Sequence, residues 1–198
     1  MTWINDVGGM HGFGPVPVHA ASSRSGPWSA RMWAVNQILI DRGLYNFDHY
    51  RHAVERMDPA AYLASSSDLR RLSALETLVH ERVTAEAHEA ADPIPARLRP
   101  APTAPPACFA RGDGVVVRAD TPPTHSRTPR YVRGRRGVVQ ALRGRSVCPE
   151  QRVTEDPDAP ALQIYSVRFE PEELWGAQGR TRCPVMLDLW ESALAPAA

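Results

Sequence analysis

The stretch THSRTPRYVRGRRG at 124–137 sets Arg127, Arg130, Arg133, Arg135 and Arg136 within ten positions. A guanidinium is a permanent cation with a rigid fork of donors, suited to phosphate, carboxylate or another oxyanion. Two chemistries follow. A basic stripe could track a nucleic-acid backbone, or one or two of these arginines could hold a local anion. All 23 basic residues other than histidine are arginine, in a chain also rich in alanine and proline. That bias is what a GC-rich genome produces, so abundance alone marks no arginine as special.

Charge bookkeeping weighs against the nucleic-acid stripe. Residues 108–147 carry nine arginines against two acids, and residues 148–198 carry four against nine, so net charges of +7 and −5 sit in adjacent blocks. Cross-strand pairing would neutralise much of the stripe. The whole chain is +1, whereas a nucleic-acid domain is expected to stay strongly basic. Tyr131 is the one aromatic placed within the run to stack a base. Small barrels with a G-x-x-V-x-V start and a later R-G-x-x-G-x-V do occur in RNA-binding ribosomal proteins. An RNA-binding or scaffolding barrel therefore stands as the non-enzyme alternative.

The other reactive side chains are sparse. Cys108, Cys148 and Cys183 are far apart and form no C-x-x-C pair, which argues against a disulfide framework or a metal cluster on this chain. His49 and His52 share a helix face, and a solvated pair is the plain reading of that spacing. Any metal used by this protein is expected on another chain.

Elements must position these groups. Glycines and prolines through residues 1–27 forbid long regular structure, yet Trp3, Ile4, Met10 and Phe13 are apolar. Such an arm either packs on a partner subunit or folds back on its own domain. GGMHGFG within it follows no strand and has no lysine, so it is not a phosphate loop. Residues 28–91 read as helical. Trp28, Met32, Val35, Ile38 and Leu39 recur at helical spacing as a core stripe, with Gly43 as the stop. A second helix spans about 47–57, with Tyr50, Val54 and Met57 on one face, Arg51 and Glu55 on another, and Asp58-Pro59 closing it. A third begins near Ser66 as N-cap and runs through Leu69, Leu72, Leu75, Leu78 and Val79. Six prolines within 92–107 form a stiff linker. From 108 to 198 the period shortens: Val115/Val117, Val138/Val139, Tyr165/Val167/Phe169 and Leu187/Leu189 mark short strands between Gly, Pro and Asp clusters, as in a small antiparallel barrel. The class is α+β. No apolar run reaches membrane-spanning length, and MTWINDVGGMHGFGP lacks the n- and h-regions of a secretory leader, so the expected location is the cytoplasm.

Six blocks give this arrangement a family. NDVGGMHGFGPV at 5–16, FDHYRHAVERMDPAAYL at 47–63, LSALETLV at 72–79, GDGVVVRADTPPTHSRTPRYVRGRRGVV at 112–139, YSVRFEPEELWG at 165–176 and VMLDLWESAL at 185–194 together resemble the β subunit of nitrile hydratase. They stand in the family's order and span nearly the whole chain. The resemblance implies an arm wrapping an α subunit, a helical N-terminal part and an SH3-like C-terminal barrel. It implies a heterodimer or heterotetramer whose α subunit carries Fe(III) or Co(III), bound by a cysteine cluster with one sulfinate and one sulfenate. It also implies two β-subunit arginines donating to those oxidised cysteines, which map here to Arg51 and Arg127. The local alternatives are an i,i+4 pair of Arg51 with Glu55, and plain loop solubility for Arg127.

The implied reaction hydrates a nitrile to an amide, with no activity expected from this chain alone. Water and sulfenate both stay open as nucleophile, as do iron and cobalt. One segment departs from the family: SSSDLRRL at 65–72 stands where adjacent tyrosines and a tryptophan are usual. A bulky or polar nitrile is the substrate that this replacement suggests. The related alternative is a thiocyanate hydrolase-type subunit, which usually divides these halves between two polypeptides.

Overall fold

The structure is a computed structural model and describes residues 4–15, 26–86, 105–120, 125–155, 159–179 and 183–197. Two compact units separate, one within Trp3–Arg99 and the other within Pro100–Ala198. The Pro-rich segment 92–107 lies outside the described residues except for 105–107.

The first unit is helical: α1 (Pro27–Asp41), α2 (Phe47–Glu55), α3 (Pro59–Ala64) and α4 (Ser67–Glu86). Its core gathers Met32 from α1, Tyr45 from the following turn, Tyr50 and Ala53 from α2, and Ala74, Leu75 and Leu78 from α4. The stripe expected on α1 is only partly the core. Met32 is buried, but Trp28, Val35 and Ile38 are exposed, and Ser29 and Asn36 take the inward positions. The reason is a hydrogen bond: Asn36 Oδ1 accepts from Tyr45 Oη at 2.9 Å, so a polar residue fills the face that hydrophobicity alone assigns to aliphatics. Gly43, at φ +77°, makes the left-handed turn that ends α1.

α2 ends at Glu55 with Arg56 as its C-cap, short of the expected Asp58-Pro59 stop, and Asp58-Pro59 opens α3 instead. Asp58 Oδ1 accepts from Ala61 N at 2.9 Å, and Pro59 takes the first helical position, where its missing N–H costs nothing. Ser66 caps α4 as expected, its Oγ accepting from Leu69 N at 3.3 Å.

The second unit is a five-stranded antiparallel sheet in the order β4-β3-β2-β1-β5. Its strands are β1 (Gly114–Val117), β2 (Arg136–Val147), β3 (Ala161–Phe169), β4 (Val185–Trp190) and β5 (Leu194–Pro196), with short helices α5 (Pro149–Val153) and α6 (Pro171–Trp175) between them. Alternation places Val115, Val117, Val139, Tyr165, Val167, Phe169 and Leu189 in one core. Gly137 is required where β2 crosses β3: a Cβ there would stand 2.6 Å from Val167 Cγ1 and 2.9 Å from Phe169 Cε1. Register shifts at Val139/Ala141 and Leu142/Gly144 bend β2. Among the described residues the ladder ends at β4 and β5, so an α+β fold with an open sheet is what the strands establish.

Candidate functional site

Arg51 owes its place to the start of α2. Asn46 caps that helix, its Oδ1 accepting from Asp48 N at 2.9 Å and His49 N at 3.0 Å, while His49 Nδ1 accepts from Asn46 N at 3.3 Å. With the first turn fixed, helical spacing lays Arg51 over Phe47, four residues earlier. Its Cζ sits 4.3 Å from the ring centroid, and Nη1 lies 3.4 Å from Asp48 Oδ1. The side chain remains 40% exposed, so the fork is oriented but still able to meet an external acceptor.

The expected alternative partner does something else. Glu55 is 3% exposed and accepts from Asn5 Nδ2 at 3.1 Å, with His52 Nδ1 3.8 Å away. Glu55 therefore faces inward and anchors residue 5 of the arm, which corrects the placement of Arg51 and Glu55 on one solvated face. Met10 and Phe13, further along the arm, are exposed.

The segment at 65–72, expected to depart from the family, packs against Trp33. Arg71 Nη1 meets Asp68 Oδ1 at 3.2 Å and its Cζ lies 4.9 Å over the ring of Trp33, while Tyr50 Oη donates to Arg71 O at 3.4 Å. Burial pushes the Tyr50 hydroxyl up to about 12, with Arg71 opposing that rise and Asp68 adding to it. The group stacked on Trp33 is thus an ion pair.

Arg127 lies in the second unit, on an extended segment between buried His125 and a 3-10 turn at Arg130–Val132. Its side chain is exposed. The backbone beside it is fixed: Thr128 N donates to Ser126 Oγ at 3.3 Å, and Arg133 donates from both Nε and Nη2 to Thr128 O, at 3.2 and 2.8 Å. Ser126 and Thr128 also line a cavity of about 320 Å³ with Arg118, Cys148 and Gln151. The Asn46 cap, the Phe47 stack and the Arg133 fork escaped the sequence reading. An Asn preceding an apolar-periodic run signals the first, and i,i+4 spacing signals the second. No local spacing signals the third.

The cysteines suit no thiolate cluster on this chain. All three are free, with Cys108 and Cys183 exposed and Cys148 buried. Burial first, then its hydrogen bond to Glu150, pushes the Cys148 thiol up to about 12, so it stays protonated. The neighbouring charge blocks meet at an ion pair, Arg143 Nε on β2 lying 3.5 Å from Asp188 Oδ1 on β4, while Glu173 Oε1 accepts from the backbone N–H of Arg136 at 2.9 Å.

Two family profiles match, described as nitrile hydratase β subunit, N-terminal, over residues 1–110, and nitrile hydratase β subunit, C-terminal, over residues 97–196. The chain belongs to the nitrile hydratase β-subunit family. Among relatives, the nitrile hydratase subunit β of Pseudomonas chlororaphis is 34% identical over 218 residues, covering 100% of this chain and 98% of that one. The low-molecular-weight cobalt-containing nitrile hydratase subunit β of Rhodococcus rhodochrous is 29% identical over 230 residues and covers both chains fully. A cobalt-containing nitrile hydratase subunit β from Pseudonocardia thermophila is 28% identical over 96% of this chain and 94% of its own. Of solved structures, the recombinant apo-form of thiocyanate hydrolase from Thiobacillus thioparus superposes with a TM-score of 0.44 at 23% identity, over 48% of this chain and 79% of that one.

Proposed function

We propose that this chain is the β subunit of a hydro-lyase that adds water to a nitrile to give the amide, acting with an α subunit that carries the metal. The observation that carries the reading is the pair of family profiles extending through residues 1–196. When bound on the α subunit, trivalent iron or cobalt supplies Lewis acidity toward the nitrile or a water. This chain supplies donors. Arg51 and Arg127 each present a permanently charged fork that fits a sulfinate or sulfenate oxygen, holding it in one orientation and shielding it from further oxidation. Cobalt is favoured by the two relatives described as cobalt-containing.

The rest of the assembly follows from the same surfaces. The arm 1–27 leaves Met10 and Phe13 exposed for the α subunit, ahead of a helical domain 28–91, a linker 92–107 and a sheet domain 108–198. We read that sheet as an SH3-like barrel, which its bulged β2 supports. No helix among the described residues is long and apolar enough to cross a membrane, and we place the complex in the cytoplasm. The Asp68–Arg71 pair on Trp33 favours a polar or bulky nitrile over a small aliphatic one.

Co-expression of this chain with a cysteine-cluster partner, followed by copurification and metal analysis, tests the reading. A complex containing about one cobalt or iron per pair, active on a panel that includes large heterocyclic nitriles, is the expected result. Hydration by the isolated, metal-free chain refutes it, and so does turnover of thiocyanate in place of nitriles.

A further inference from the structure

The arginine run at 127–136 looks in sequence like a set of equivalent surface charges around Arg127. The structure separates Arg133 from the others. Its Nε and Nη2 both donate to one acceptor, the carbonyl of Thr128, at 3.2 and 2.8 Å. That carbonyl belongs to the residue following Arg127, and the N–H of the same residue donates to Ser126 Oγ at 3.3 Å. Both polar backbone groups next to Arg127 are therefore tied.

The other end of this tether is firmly built. Val132 is fully buried in the sheet core. Arg133 N donates to Arg130 O at 3.1 Å and Gly134 N to Val117 O at 2.8 Å, while Val117 N donates to Arg135 O at 3.0 Å. The backbone that carries Arg133 is thus hydrogen-bonded to β1 and leads directly into β2. Its guanidinium reaches from that frame to a segment that belongs to no strand.

We propose that Arg133 is a positioning residue that fixes the direction in which Arg127 leaves the second unit. The inference rests on the role given above to Arg127. Two N–H groups of one rigid fork on one oxygen fix an angle as well as a distance, whereas a lysine ammonium gives a single rotatable contact. Charge alone therefore does not replace Arg133. Arg135, exposed and carried by the same frame, has no such bond to the segment and serves as the charge-conserving control.

The test compares Arg133→Lys, Arg127→Lys and Arg135→Lys in the assembled, metal-loaded complex and in the full chain. In Arg133→Lys, amide exchange across 125–130 should speed about tenfold, the magnitude of one charge-assisted hydrogen bond, while the unfolding midpoint falls by no more than that one bond accounts for. The visible absorption of the metal centre should move in the direction that Arg127→Lys moves it, and kcat should fall about tenfold with KM little altered. The double variant Arg127→Lys/Arg133→Lys should be no slower than Arg127→Lys alone, because both act through one group. Arg135→Lys should match the wild type in every readout. Unchanged exchange in Arg133→Lys, or losses that multiply in the double variant, overturn the inference while leaving Arg127 in place. Wild-type turnover and absorption in Arg127→Lys overturn the role of Arg127, and this inference with it.

Discussion

Arg51→Ala separates stability from catalysis most cleanly, because the contacts that Arg51 makes within its own unit are weak. The side chain is 40% exposed, and its guanidinium lies 3.4 Å from the Asp48 carboxylate and stacks 4.3 Å over Phe47. An exposed ion pair is worth about 0.2–1 kcal/mol, and a solvent-facing cation–π contact about 0.5–1 kcal/mol. The two together bound the stability cost at about 2 kcal/mol, and lysine, which keeps the charge, should lose well under half of that. A donor aimed at a reacting centre is worth far more, about 10²–10³ in kcat. Urea unfolding of the chain and steady-state hydration by the assembled complex measure the two effects separately. The expected outcome is a folded, metal-loaded complex whose kcat is down about 100-fold in both Arg51→Ala and Arg51→Lys. The reasoning fails if kcat falls only in proportion to lost complex, or if Arg51→Lys turns over like the wild type. Either result would make Arg51 a surface residue whose value is its stack on Phe47.

Other perturbations test the frame. Tyr165 Oη donates to Glu191 Oε2 at 2.5 Å and accepts from Phe109 N at 3.3 Å, so Tyr165→Phe removes a bond to a carboxylate and should cost about 2 kcal/mol in urea unfolding; a change below about 0.5 kcal/mol would show the bond to be idle. Burial first and Glu191 second raise the Tyr165 hydroxyl to about 12. A folded-state value above the unfolded one makes stability fully present below about pH 10 and lost as pH rises toward 12. Tyr165→Phe should flatten that alkaline slope, and an unaltered slope would assign it to other groups. Gly137→Ala drives a Cβ to 2.6 Å from Val167 and should destabilise the sheet unit by about 1–3 kcal/mol, read by thermal melting, whereas a neutral result would mean that β3 yields easily. Alkylation at pH 8 should consume Cys183 and Cys108 while Cys148 waits for unfolding, and three equally fast thiols in mass spectrometry would contradict the burial of Cys148.

Much of this chain was legible without coordinates, because some signals are local. Period-2 alternation marked Val115/Val117 and Tyr165/Val167/Phe169, and all five are buried in one core. Ser66 announced its own cap, and the motif blocks named the family. What stayed hidden depends on residues that meet only after folding. Three of the five residues in the apolar pattern of α1 are exposed, because a tyrosine hydroxyl nine residues beyond Asn36 holds that polar side chain inward. Glu55, spaced to pair with Arg51, is instead buried against Asn5, fifty residues earlier.

The arginine run divides the two kinds of information. Sequence by itself determined that a permanent cation stands at 127 and that the following acidic block offsets most of the stripe, because composition and order are properties of the chain alone. Tertiary structure decided which neighbour matters. Arg130, Arg133, Arg135 and Arg136 are equivalent as letters, but a hydrogen bond depends on direction. Only the path of the backbone from Thr128 through the 3-10 turn aims the Arg133 fork at a carbonyl next to Arg127.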